Sequence, residues 1–321
     1  MTQHEEQVKT SQSGWEQATV EKVLLASIEE QRRARRWGIF FKCAMLLLVI
    51  IAVWQSSKPL SGMSKHDGDK HTAVIDVAGL IAPGQPANAD NIIEGLRDAS
   101  EDPNTKGIIL RMNTPGGSPV QSASIYEEIR RLKKLKPDLP IHAVVVDMCA
   151  SGGYYIAAAA DRIYVSNASV VGSIGVIMGS FGFVDAMKAL GVERRVMTAG
   201  AHKAMLDPFA PVDPVARQHM QGVIEEVHRQ FIDAVKQGRG ARLKETPDMF
   251  SGLIWTGEDA VKLGLADAIG NSRSVAEDVI GAKNLVSFNP EENILDRFTR
   301  KMGSSMGQTL VEAMGYGSFM R

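Results

Sequence analysis

The sequence predicts an α/β fold built from parallel strand–helix units. Two observations carry that prediction. Short apolar segments rich in Val and Ile (residues 73–81, 107–112, 141–146 and 162–165) alternate with longer helix-like ones. Two of those strands run into glycine pairs, Gly116-Gly117 and Gly152-Gly153, at what becomes one edge of a parallel sheet. Ligands of such sheets bind at the carboxyl ends of the strands. The 321 residues, 44% hydrophobic and 23% charged, suffice for one sizeable core with appendages.

Taken in order, residues 1–36 are polar and charged, with a weak helical stripe over 20–36. Residues 37–54 form an 18-residue apolar run with one charge, Lys42, near its start. That length is close to the minimum for a spanning helix. Trp37 and Trp54 suit the two interfaces, and Arg32, Arg33, Arg35 and Arg36 precede the run. By the positive-inside rule the N-terminus stays cytoplasmic and the rest is translocated. No Ala-x-Ala cleavage site follows, so the expectation is an uncleaved signal anchor. Residues 55–71 read as a linker.

A catalytic-type domain is expected over residues 72–287. Strand 73–81 leads to a helix over 88–99, strand 107–112 to a helix over 118–135, and strand 141–146 to a small-residue helix over 154–160. The charges of the 118–135 helix, Glu128 among them, read as a solvated face. Residues 192–197 read as strand-like. Residues 213–239 read as one amphipathic helix with Val215, Met220, Val223, Ile224, Val227, Phe231, Ile232 and Val235 on its apolar face. Residues 288–321 are too short for a core of their own and are expected to pack on a neighbouring subunit or fray.

The formal net charge of −1 offers no global electrostatic case for nucleic acid. The two cysteines, Cys43 and Cys149, make no disulfide framework, and no Cys/His cluster suggests a metal. There is no Walker loop. No cofactor is expected.

Ser151 stands at a strand-to-helix junction in Cys149-Ala150-Ser151-Gly152-Gly153-Tyr154-Tyr155. Free N–H groups at a helix start favour developing negative charge, which an alkoxide and a tetrahedral oxyanion need. An ordinary N-cap serine is the competing reading of that segment alone. The second glycine pair, in Asn113-Thr114-Pro115-Gly116-Gly117-Ser118, lets backbone N–H groups approach a ligand unhindered. Lys203 lies among small residues, 52 positions after Ser151, where desolvation would lower its pKa and suit it to general-base work. The seven histidines fall in no recognisable catalytic motif.

These segments, with Val171-Gly172-Ser173-Ile174-Gly175-Val176, resemble the signal peptide peptidase A family of membrane-bound serine peptidases. The resemblance runs from about Thr72 to about Ala282 and implies a Clp protease/crotonase-like fold of repeated ββα units. It further implies Ser151 as nucleophile, Lys203 as general base and Ser173 as the residue orienting the lysine. Gly116 or Gly117, with Gly152, would supply the oxyanion hole. It implies remnant signal peptides as substrates and a homo-oligomeric ring, an octamer, in which the lysine serves a neighbour's serine. Leu80, Ile81, Val120, Ile174 and Met178 are the candidate apolar walls of the substrate groove. The implied location is the bacterial inner membrane with the catalytic domain periplasmic. A crotonase-type acyl-CoA enzyme and a non-catalytic membrane scaffold are the alternatives.

Overall fold

The computed structural model describes residues 32–33, 35–48 and 69–290. The chain divides into two units, residues 1–65 with 294–321, and residues 66–293. In the first unit, residues 35–48 are helical, and Trp37, Phe40, Phe41 and Leu46–Leu48 are exposed. Among the described residues no helix is long and apolar enough to cross a membrane. Residues 49–54 of the expected anchor, and the C-terminal stretch from 291 onward, lie outside the described residues.

The second unit is built on an eight-stranded sheet. Its elements are β1 (His71–Ile81), α1 (Ala89–Glu101), β2 (Thr105–Gly117), α2 (Pro119–Leu135), β3 (Ile141–Ala150), α3 (Gly152–Ala157), β4 (Arg162–Val165), β5 (Val170–Gly172), α4 (Val184–Ala189), α5 (Pro214–Arg239), β6 (Ile254–Thr256), α6 (Gly257–Lys262), β7 (Ala268–Ile269) and β8 (Leu285–Ser287). The main path runs β6-β5-β3-β2-β1-β8, with β4 joining β3 and β7. All pairings are parallel except β5–β6. This mixed α/β architecture with a central sheet fits a Clp protease-like fold.

Alternation along the strands explains the two-sided packing. Ala73, Ile75 and Val77 of β1, Ile108, Leu110 and Met112 of β2, and Ile141, Ala143 and Val145 of β3 enter the main core with α1, α2 and α3. Val74, Ile109 and Val144 face the other way, against Tyr164 and Val275. α1 presents Ile92, Leu96 and Ala99 at helical spacing, and its start is capped by Asn88, which accepts from the N–H of Asn91 at 2.9 Å. β3 forks at its second edge. Its first half pairs with β4 (Ala143↔Ile163) and its second half with β5 (Cys149↔Val171). The fork carries β5 and β6 to the end of the sheet where Ser151 lies.

Four local expectations are corrected. β1 begins at His71, which is buried, so that residue belongs to the domain and not to the linker. Residues 192–197 form no strand, because this segment has no sheet edge beside it. Glu128 is not solvated: it is buried and accepts hydrogen bonds from Arg97 at 2.7 Å and Arg131 at 2.6 Å. Of the stripe on α5, Phe231 and Val235 are buried, beside Ala234, and Ala216 is buried in the first turn, while Val215 and Val223 are exposed.

Residues 175–215 make a projecting arm with no buried residue. It holds together by its own contacts. Phe183 stacks on Phe209 at 5.4 Å between ring centroids, Arg194 lies over Phe209, and Arg194 pairs with Asp207. Among its exposed residues are the large apolar ones Ile177, Phe181, Leu190 and Met197.

Candidate active site

The geometry starts from a backbone that local physics disfavours. Among the described residues three non-glycines have positive φ: Ser151 (51°), Ser173 (52°) and Leu206 (61°). Such conformations cost free energy and persist where surrounding contacts enforce them. At Ser151 the enforcing contact is visible. Its N–H donates to the Gly172 carbonyl at 2.8 Å, while its own carbonyl accepts from Tyr155 at 3.0 Å inside α3. The side chain makes no capping hydrogen bond, so the N-cap reading of this serine fails in its defining feature. At Ser173 the N–H donates to the Leu253 carbonyl at 2.7 Å. β6 and the residue before it therefore brace both serines, β6 by pairing Ile254 with Gly172 and Leu253 by taking the Ser173 N–H.

The two glycine segments meet here. Gly116 is buried beneath Ser151, at φ 100°, and a Cβ on it would lie 2.8 Å from the Ser151 Cβ and 2.7 Å from the Gly152 nitrogen. Its N–H is already engaged, donating to the Thr114 hydroxyl at 3.0 Å. Gly117 differs. It is exposed, and successive N–H groups of a strand face opposite edges. The N–H of Ser118 faces β1, donating to the Ile81 carbonyl at 2.7 Å, so that of Gly117 faces the Ser151 side. The Gly117 nitrogen lies 3.2 Å from where a Cβ on Gly152 would stand. Gly152, at the first position of α3, has an N–H without an intrahelical partner. Two N–H groups, from Gly117 and Gly152, thus converge beside Ser151.

The remaining expected residues are scattered in burial. Lys203 is exposed on a turn of the arm, where its N–H donates to Gly200 at 3.2 Å. Its small neighbours Gly200, Ala201 and Ala204 are exposed as well. Leu80, Val120 and Met178 are exposed, whereas Ile81 and Ile174 are fully buried core residues. Cys149 is buried on β3, and burial pushes its thiol pKa up, which makes it inert. His142 sits at the opposite end of β3 from Ser151, buried edge-on against Tyr164, and burial lowers its pKa. His202 is exposed. Among the described residues no group of His, Cys, Asp or Glu is arranged to hold a metal.

Sequence reasoning missed Thr114, Ser122, Leu253 and Trp255, which pack against these glycines and serines. Thr114 alone carried a signal, its place inside the first glycine motif.

The fold and this constellation define an α/β protein of the serine-hydrolase kind. Residues 133–285 match the model for peptidase family S49. A Methanocaldococcus jannaschii protein named "Putative protease" is 31% identical over 243 residues, covering 74% of this chain and 77% of that one. An Enterococcus faecium protein named "Putative signal peptide peptidase SppA" is 29% identical over 283 residues, covering 78% and 82%. The chain belongs to this signal peptide peptidase A family, peptidase family S49. A Brucella abortus protein named "Na(+)/H(+) antiporter NhaA" is 42% identical over 213 residues, 66% of this chain. The chain spans 29% of that relative's length.

Proposed function

We propose that this chain is a membrane-anchored serine endopeptidase that hydrolyses peptides through an acyl-enzyme on Ser151. The observation that carries the reading is the left-handed backbone of Ser151 beside the N–H groups of Gly117 and Gly152. The Ser151 hydroxyl adds to the scissile carbonyl while Lys203 Nζ takes its proton. The oxyanion is held by the N–H groups of Gly117 and Gly152, because that of Gly116 is committed to Thr114. Collapse expels the amine, which receives the proton from Lys203. Lys203, neutral again, then takes a proton from a water that attacks the ester, and returns it to the Ser151 oxygen as the acid product leaves. Ser173 orients the lysine.

Lys203 must be neutral to act, and its exposure in the single chain calls for cover from outside. The apolar arm that bears it supports a ring of identical subunits, an octamer, in which the arm lies on its neighbour. Residues 37–54 anchor the ring in the inner membrane with the catalytic domain periplasmic. That position suits remnant signal peptides as substrates.

The test is labelling of the full chain with a fluorophosphonate probe, with the modified residue mapped. Labelling at Ser151 that is lost in Ser151→Ala and in Lys203→Ala is expected. An intact oligomer that takes no label, or takes it elsewhere, sinks the reading. Cleavage of signal-peptide fragments, absent in Ser151→Ala, tests the substrate class.

A further inference from the structure

We infer that Thr114 is the positioning residue of the oxyanion hole, its buried hydroxyl fixing the direction in which the Gly117 N–H points. The inference rests on the peptidase reading and adds to it a residue for which that reading has no role.

Thr114 sits where two ladders lose register at once. Between β1 and β2 the shift falls between Ala78 and Leu80, opposite Asn113 and Gly116. Between β2 and β3 it falls between Met112 and Thr114, with Thr114 opposite Cys149. A bulge leaves backbone groups without regular ladder partners. The Thr114 hydroxyl supplies partners to two groups there. It donates to the Gly79 carbonyl at 2.5 Å and accepts from the Gly116 N–H at 3.0 Å. The side chain is fully buried, so no water substitutes for it.

The other branch of the same side chain reaches α3. A Cβ on Gly153 would lie 2.5 Å from Thr114 Cγ2, so the methyl packs against the helix just behind Ser151. One residue therefore ties together the end of β1, the glycine pair and the nucleophile's helix. With the Gly116 N–H held inward, the next peptide plane is set, and Gly117 N–H faces Ser151. Glycines at φ 100° and 152° have no side chain to resist rotation, so the orientation depends on being held at both ends, by Thr114 on the Gly116 N–H and by Ile81 on the Ser118 N–H.

Two variants separate the hydroxyl from the methyl. Thr114→Val keeps shape and volume and removes both hydrogen bonds; Thr114→Ser keeps the hydroxyl and removes the methyl. In the full-length protein, Thr114→Val is expected to lower kcat about 100-fold with KM within about 3-fold, the scale of losing one oxyanion donor. The affinity of a peptide-aldehyde inhibitor, whose adduct mimics the tetrahedral oxyanion, falls in parallel with kcat/KM. Thr114→Ser stays within about 5-fold of the parent on both readouts. Equal losses in the two variants, or a Thr114→Val enzyme with parental kcat and aldehyde affinity, overturn the inference. Amide hydrogen exchange over residues 113–118 is measured alongside, and is expected to quicken in Thr114→Val and not in Thr114→Ser. Should the parent protein show no Ser151 chemistry at all, the peptidase reading fails by itself. Unchanged exchange in Thr114→Val still overturns the anchoring role.

Discussion

The backbone N–H of Ser151 donates to the carbonyl of Gly172 at 2.8 Å, so the residue heading α3 is held by the end of β5. Gly172 itself is held in a conformation that a side chain opposes. Its φ is 103°, and a Cβ there would lie 2.8 Å from Trp255 Cδ1 and 3.1 Å from the Leu253 carbonyl oxygen. Gly172→Ala must therefore shift β5 against β6. We expect a stability loss of about 1–3 kcal/mol from the strained backbone. Fluorophosphonate labelling of Ser151 should slow by roughly tenfold or more, since small displacements of a nucleophile are costly. Thermal melts and labelling rates check this. A variant that melts earlier yet labels at the parental rate would show that Gly172 does not position Ser151.

Acid stability has a named contributor in Glu128. It is buried and bonded by Arg131 and Arg97, and these bonds, Arg131 first, hold its carboxyl down at about 2 despite the opposing effect of burial. Its folded pKa lies below its unfolded value near 4.5. The contribution is therefore present above pH 4.5 and is lost as pH falls toward 2. Glu128→Gln should melt below the parent at pH 7, and the gap should close as pH is lowered from 5 to 3. A gap constant across that range would contradict the assignment.

Much of this fold is written in local pattern, because strand alternation and glycine pairs are local. Ile108, Leu110 and Met112 alternate with Ile109 and Arg111, and the sheet follows. Ser151 and the motif at 113–118 are legible for the same reason. Long-range pairing is not. Nothing in Ile254-Trp255-Thr256 announces an antiparallel partner for β5, although that pairing holds Gly172, and with it Ser151, and brings Leu253 to the Ser173 N–H. Nor does apolar periodicity report what covers it. Val215 and Val223 recur at helical spacing yet are exposed, and Val192–Met197 has strand composition but no strand beside it. Glu128 shows the converse, a charge that reads as surface and is buried by two arginines from different helices.

The arm offers a test of assembly that leaves the domain core untouched. Ile177 and Met197 are fully exposed and belong to neither hydrophobic cluster of the described residues. Ile177→Glu with Met197→Glu should leave the stability of the folded domain nearly unchanged where the chain stands alone, within about 0.5 kcal/mol. If the proposed ring is held through this arm, the mass on light scattering should fall to that of the single chain, and Ser151 labelling should drop with it. A double variant that keeps both the parental mass and the parental labelling rate removes the arm from the interface.

The oxyanion assignment can be separated from packing at Gly152. A Cβ there would overlap the Ser122 hydroxyl, which donates to the Ser118 carbonyl at 3.0 Å, and would stand 3.2 Å from the Gly117 nitrogen. Gly152→Ala should thus lose about 1–3 kcal/mol through overpacking and should also lose turnover. Ser122→Ala removes the clashing oxygen, and the Ser122 Cβ at 3.5 Å remains an ordinary contact. The pair Gly152→Ala/Ser122→Ala should therefore recover most of the stability. Turnover should stay down by about 100-fold, because the added methyl still crowds the Gly117 N–H. Ser122→Ala alone should remain active. Chemical denaturation and kcat on one peptide substrate decide the matter. If stability and turnover return together in the double variant, the space between Gly117 and Gly152 is not where the oxyanion sits.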